Sequence, residues 1–134
     1  MSSTHRLSVR YPRVKASVGR AREFARTFIG AAGRVGLSDD LVQVVSELVA
    51  NAVVHGRTAR DRQVEVTLDQ DSERVRIEVR DVGDGIPRMR RAVRPLAASG
   101  RGLGIVAALS ASWGVTERVM GKTAWAEIRT KKVV

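Results

Sequence analysis

The chain contains no cysteine. That excludes disulfides, thiolate metal centres and a cysteine nucleophile. Histidine occurs only at His5 and His55, too far apart in sequence for a paired zinc-ligand motif. Aromatic residues make up 4% of the chain, so the core has to be built mostly from Val, Leu, Ile and Ala. No apolar run approaches the roughly 20 residues that span a bilayer. The opening segment, MSSTHRLSVR, lacks the apolar centre of a secretory signal. A cytoplasmic location with no membrane partner is therefore expected.

Basic charge is what the chain has in quantity: 24 Lys and Arg against 14 Asp and Glu, a net charge of +10 over 134 residues. Such an excess favours acidic proteins, phosphate ligands or nucleic acid. The arginines are dispersed, however, and no aromatics interleave with them to stack bases. Direct nucleic-acid binding is not expected. A hydrophobic share of 43% and this length fit a single domain, residues 1–134, around one core.

Leu7, Val9 and Tyr11 alternate with polar residues up to Pro12, the pattern of a short strand. Val14, Val18, Ala21, Ala25, Phe28 and Ile29 recur at helical spacing over about residues 14–32, and Gly33 and Gly36 end that helix. Ser38 reads as an N-cap, with Asp39 and Asp40 in the first turn of a second helix over about residues 39–55. Its buried stripe is Leu41, Val44, Val45, Leu48, Val49 and Ala52, and Gly56 follows its end. Alternation predicts strands at 63–68 and 75–81 around a turn at 69–73. Residues 86–99, rich in Arg, Pro and Ala, read as a mobile loop. A third helix over about 103–111 and a hairpin of 115–119 with 123–130 complete the chain, with Trp113 and Trp125 expected in the strand core. The order βααββαββ implies an α+β two-layer sandwich, a mixed and mostly antiparallel sheet with helices on one face.

Three segments carry chemistry. Glu47 and Asn51 stand four residues apart on the second helix and share one of its faces, beside the apolar stripe. An asparagine oxygen suits magnesium, which prefers oxygen ligands and keeps several waters. Glu47, one turn earlier, can hold a metal-bound water or take a proton from an attacking hydroxyl. Taken alone, the pair also fits a solvated glutamate and a hydrogen-bonded helical asparagine. Next, Asp81 ends a strand and is followed by Gly83, Gly85 and Ile86. Glycines let a flat ligand approach the backbone, and a carboxylate there can accept a hydrogen bond from an exocyclic amine, which guanine's O6 edge cannot provide, so that geometry would select adenine. A plain Asp-Gly turn is the other reading. Last, Gly100-Arg101-Gly102-Leu103-Gly104 leads into a helix, whose N-terminal amides bind phosphate. No Gly-Lys-Ser/Thr follows, so this is not a Walker A loop.

In order and spacing, the three segments together resemble the N, G1 and G2 boxes of the GHKL superfamily of ATP-binding domains. The resemblance implies the Bergerat fold and makes Asn51 the magnesium ligand, Asp81 the adenine partner, and Gly102 and Gly104 the phosphate glycines. Thr123, in Gly121-Lys122-Thr123-Ala124-Trp125, matches a threonine that supports Asp81 and a water at the adenine edge. Tyr11-Pro12, Ser17-Val18-Gly19-Arg20-Ala21-Arg22, Val45-Ser46-Glu47-Leu48-Val49-Ala50-Asn51 and Trp113-Gly114-Val115 are similar to the anti-sigma factor and serine kinase branch. That branch implies ATP and Mg2+ as cofactors, a sigma factor and an anti-anti-sigma protein as partners, and Glu47 as the base for the acceptor serine. Members commonly form homodimers. Kinase members place an arginine where this chain has Gly100, with Arg101 the nearest substitute. An ATP-responsive binding module without phosphoryl transfer is the alternative.

Overall fold

The computed structural model describes residues 5–55, 63–82, 101–118 and 121–130. The chain runs β1 (His5–Pro12), α1 (Ala16–Ala31), a 3-10 turn (Val35–Leu37), α2 (Ser38–His55), β2 (Gln63–Gln70), β3 (Arg74–Val82), α3 (Arg101–Leu109), β4 (Ser112–Arg118) and β5 (Gly121–Arg129). This is the expected order βααββαββ. The five strands form one sheet, β1-β2-β3-β5-β4, and every pairing is antiparallel, so the parallel pair of a mixed sheet is absent among the described residues.

Alternation divides the sheet into two faces. Val64, Val66 and Leu68 of β2, Val75, Ile77 and Val79 of β3, and Ala124, Ala126 and Ile128 of β5 are buried. The intervening positions are mostly charged. The buried face meets Ala21, Ala25, Phe28 and Ile29 of α1, Leu41, Val44, Val45, Leu48 and Val49 of α2, and Val106 of α3 in one core. Each fully buried Leu, Val or Ile contributes about 1.5–3 kcal/mol against exposure. Helix α2 is central: it touches both other helices and also β2, β3 and β5.

Local chemistry sets the ends. Gly33 has a φ of 74°, a left-handed conformation that costs glycine nothing. It closes α1 in a Schellman motif, the amides of Gly33 and Arg34 donating to the carbonyls of Gly30 and Ile29. Asp71 closes the β2–β3 turn, its Oδ1 accepting from the amides of Glu73 (2.8 Å) and Arg74 (2.9 Å). The Glu73 amide foremost holds its carboxyl below the usual carboxylate range.

Some local expectations change. Ser38 is helical (φ −59°, ψ −47°) and continues a 3-10 turn into α2 instead of capping it in extended geometry; Asp39 and Asp40 do occupy the first turn. The β2 and β3 strands reach further, to Gln70 and from Arg74, because the Asp71 turn needs fewer residues. The tryptophans are not core residues. Trp113 lies on the edge strand β4 and is 36% exposed. Trp125 pairs with Glu78 and Gly114 on the charged face, under the guanidinium of Arg76 at 4.5 Å from the ring centroid. The expected loop at 86–99, Gly56, and the site residues Gly83, Gly85, Ile86 and Gly100 lie outside the described residues.

Candidate functional site

Strand register and chain direction gather the expected residues at one end of the sheet. Asp81, near the end of β3, pairs with Val64 at the start of β2, which pairs with Tyr11 at the end of β1. Arg80 pairs with Thr123 at the start of β5. Helix α2 begins at the opposite end, where Arg34 just before it donates to Gln70 Oε1 (2.6 Å) and to the Asp71 carbonyl (2.8 Å). It therefore delivers Glu47 and Asn51 toward the Asp81 end. Helix α3 runs the other way, since Ala111 just after it donates to the Glu127 carbonyl. Its first turn, Arg101 to Gly104, thus starts at the Asp81 end. The helix begins two residues earlier than expected, so Gly102 and Gly104 belong to the first turn itself, where an α-helix leaves amides without intrahelical partners.

On α2, Gln43, Glu47 and Asn51 follow at intervals of four. Gln43 Nε2 donates to Glu47 Oε2 at 3.1 Å. Asn51 Nδ2 is buried with no hydrogen-bond partner. An unpaired buried amide costs about 1–3 kcal/mol, and a half-turn of the side chain presents the oxygen in its place. Among the described residues no three His, Asp or Glu side chains cluster to hold a metal. A single amide oxygen suits magnesium, which completes its shell with water and substrate phosphate. It does not fit a cation that needs an all-protein cage.

Asp81 has a partner that the sequence does not announce. Arg13, in the corner after β1, sets Nη1 against both carboxylate oxygens, at 3.5 Å from Oδ1 and 3.4 Å from Oδ2. Both side chains are buried, with 5% and 8% exposure. The corner is itself braced: the Val14 amide and Ser17 Oγ both donate to the Pro12 carbonyl, at 2.9 and 2.5 Å. Tyr11 beside it is buried, which pushes its phenol up despite the opposing pull of Arg20. Thr123 is also buried, at 5% exposure, in the strand next to Asp81. The side chains of Arg101 and Leu103 are outside the description, as is that of His55.

Sequence reasoning thus missed Arg13 and Gln43. The spacing of Gln43 from Glu47 is a signal that could have found it. Arg13 is one of 24 basic residues, and its partner is 68 residues away.

The opposite face of the sheet shows what the other arginines do. Arg6 pairs with Asp69, Arg10 and Arg80 with Glu65, Arg74 with Glu127, and Arg76 with both Glu78 and Glu127. Arginines neutralised in this way offer little to phosphate. An open cleft of about 890 Å³ beside Arg34, Asp40 and Ser110 lies at the far end of the sheet, away from Asp81. No helix is long and apolar enough to cross a membrane among the described residues.

Comparison with known proteins bears on the family and the fold. Residues 11–127 match a family model described as "Histidine kinase-like ATPase domain". An anti-sigma F factor of Clostridium acetobutylicum is 36% identical over 61 residues, which are 46% of this chain and 43% of that protein. The match therefore spans less than half of the curated relative. A crystal structure of the RsbU and RsbW domains of Rv1364c from Mycobacterium tuberculosis superposes with a TM-score of 0.65 at 21% identity, over 94% of this chain and 32% of that one. At that identity the likeness speaks for the fold.

Proposed function

Because the chain belongs to the histidine kinase-like ATPase domain family, we propose that it is an ATP-binding anti-sigma regulatory factor with serine-protein kinase activity. It would sequester a sigma factor and phosphorylate an anti-anti-sigma protein. The observation that carries this reading is the buried, unpartnered amide of Asn51, on the same helix face as Glu47 and at the sheet end that holds Asp81. The anti-sigma F factor likeness supports the choice of partners.

In this reading Asp81 accepts a hydrogen bond from the adenine amine, with Gly83, Gly85 and Ile86 against the base and Thr123 in support. The backbone from Gly100 through Arg101, Gly102, Leu103 and Gly104 binds phosphate at the positive end of α3. Magnesium, when bound to Asn51, offsets charge on the transferring phosphoryl group. Glu47, held by Gln43, orients the acceptor serine and takes its proton as the serine oxygen bonds to the terminal phosphorus. The bond from that phosphorus to the bridging oxygen breaks, and ADP leaves. Gly100, where kinase members carry arginine, supports a second reading, an ATP-responsive binding module that transfers nothing.

Calorimetry tests the pocket. ATP should bind with magnesium, GTP at least about tenfold more weakly, a loss on the scale of one hydrogen bond to a charged group. Asp81→Ala should abolish the difference. Equal affinity for GTP, or no nucleotide binding, overturns the proposal. Labelled ATP with a purified anti-anti-sigma protein then separates the two readings: phosphoserine that vanishes in Glu47→Ala, with ATP affinity kept, supports the kinase. Tight partner binding with no transfer leaves the module.

A further inference from the structure

The two edges of the sheet are guarded differently. An edge strand shows unpaired amides and carbonyls, and charges or proline along it keep other chains away. On β1 that guard is present: Arg6 and Arg10 stand on the strand and Pro12 ends it. On β4, at the opposite edge, charge comes only with Glu117 and Arg118 at its far end. No strand pairs with the outer side of β4 among the described residues. Trp113 and Val115 lie two residues apart on it, each 36% exposed. They pair with the buried Ala126 and Ala124 of β5, so both side chains project on the helix-bearing face. The other exposed large apolar side chains among the described residues, Leu7, Val14 and Val35, stand singly. Helix α3, which touches β4, adds the exposed Ala107 and Ala108.

Charge narrows the choice of occupant. From Gly102 to Thr116 there is no charged residue, the longest such run in a chain that is 28% charged. An acidic partner gains nothing from a stretch without cations. Two copies at net charge +10 repel one another wherever charge faces charge, and least here. The strand is also complementary to itself. Residues directly opposite in an antiparallel pair share a face of the sheet. A two-fold axis at Gly114 sets Trp113 opposite Val115 of the second copy, twice by symmetry, with Ser112 opposite Thr116 on the outer face. Glu117 and Arg118 then fall opposite Ala111 and Ser110, so no like charges meet. An axis at Val115 would instead set Trp113 against Glu117. We propose that β4 is the contact between two copies of this chain, joined edge to edge about Gly114 so that the sheet of one continues into the other.

Sedimentation of the full chain should show a reversible dimer at micromolar concentration. Val115→Lys puts a cation on the edge, as guarded edges do. It should weaken the dimer at least about tenfold, since the symmetry enters the change twice in each contact. Trp113→Lys takes its place if that variant does not fold. The chain has no cysteine, so engineered thiols report the register alone. Gly114 is unsuited to one, because a Cβ there falls 3.0 Å from the Trp125 ring. Ser112→Cys combined with Thr116→Cys should give a disulfide-joined dimer on mild oxidation. Either substitution alone should not, because like residues then lie four positions apart, beyond the roughly 4.4–6.8 Å between Cα atoms that a disulfide spans. A wild type that stays monomeric at hundred-micromolar concentration overturns the proposal. So does a dimer that folded Val115→Lys and Trp113→Lys both leave intact, or one that forms no cross-link in the doubly substituted chain.

Discussion

The outer face of the sheet and the Asp81 end use the same residue types to different effect. On the outer face, arginines and carboxylates meet in or near water. Arg6 and Arg10 are more than half exposed, and Glu127 is shared by two guanidiniums at 2.8 Å. Such pairs are worth about 0–1 kcal/mol each, and none leaves a buried group unsatisfied. At the Asp81 end a charged pair, Arg13 with Asp81, is buried, and the side-chain amide of Asn51 on α2 has no partner. The contrast supports the proposed site, where the unpartnered Asn51 amide and the buried Arg13–Asp81 pair lie at one end of the sheet; Ser110 Oγ, at the far cleft, is the other buried polar atom without a partner among the described residues.

The largest expected effect breaks that contrast at its costly end. Asn51→Leu replaces an orphaned donor with an apolar side chain of similar size. Magnesium-dependent ATP affinity should fall at least about a hundredfold, as for a lost metal ligand with its outer shell. The fold should hold its stability or gain up to about 1–3 kcal/mol, the penalty of the unsatisfied amide. Urea unfolding and calorimetry on the same sample read both. A variant that loses more than about 2 kcal/mol while still binding ATP would make Asn51 a structural residue.

The legibility of the chain follows the same division. Elements set by short periods could be read directly: the alternation in Val75, Ile77 and Val79, and the stripe from Leu41 to Val49, give the strand and helix and the face each buries. Family spacing pointed to Glu47, Asn51 and Asp81, and the register of β3 with β5 pairs Thr123 with Arg80, the residue before Asp81. What could not be read depends on contacts across the sheet. Trp125 looked like core because indole is large and apolar. Its phase on β5 instead puts it on the charged face, where Arg76 covers it and Gly114 leaves room, a Cβ there falling 3.0 Å from the ring. Arg13 has no local pattern at all, since its role exists only once β1 and β3 are joined through β2. Ser38 looked like a cap, but a preceding 3-10 turn had already started the helix.

A smaller effect sharpens the scaffold side. A double-mutant cycle on Arg76→Ala and Glu127→Ala should give a coupling below about 1 kcal/mol, because partly exposed pairs are screened and these two share partners. Each single variant should leave ATP binding within about twofold, the change expected of about 0.4 kcal/mol. A coupling above about 2 kcal/mol would mean that this face acts as a buried network, and the comparison with the Asp81 end would lose its basis.

The smallest effect is a pH dependence, and its sign follows from Glu127. Its burial alone would raise the carboxyl, but hydrogen bonds and charge from Arg74 and Arg76 outweigh that and hold it below the ordinary 4.5. A carboxyl lowered on folding binds fewer protons in the native state than in the unfolded one. Its contribution is therefore fully present above about pH 4.5 and fades as the pH falls through the native value. Asp71, lowered from 3.8 by the Glu73 amide, adds to the same acid limb. Unfolding free energy should be flat from neutral pH down to about 5 and decline below it, and Glu127→Gln should make that decline shallower while costing little at neutral pH. Thermal midpoints taken between about pH 3 and 7 test this. An unchanged slope in Glu127→Gln would show that the two arginines on the outer face hold Glu127 no more tightly folded than unfolded.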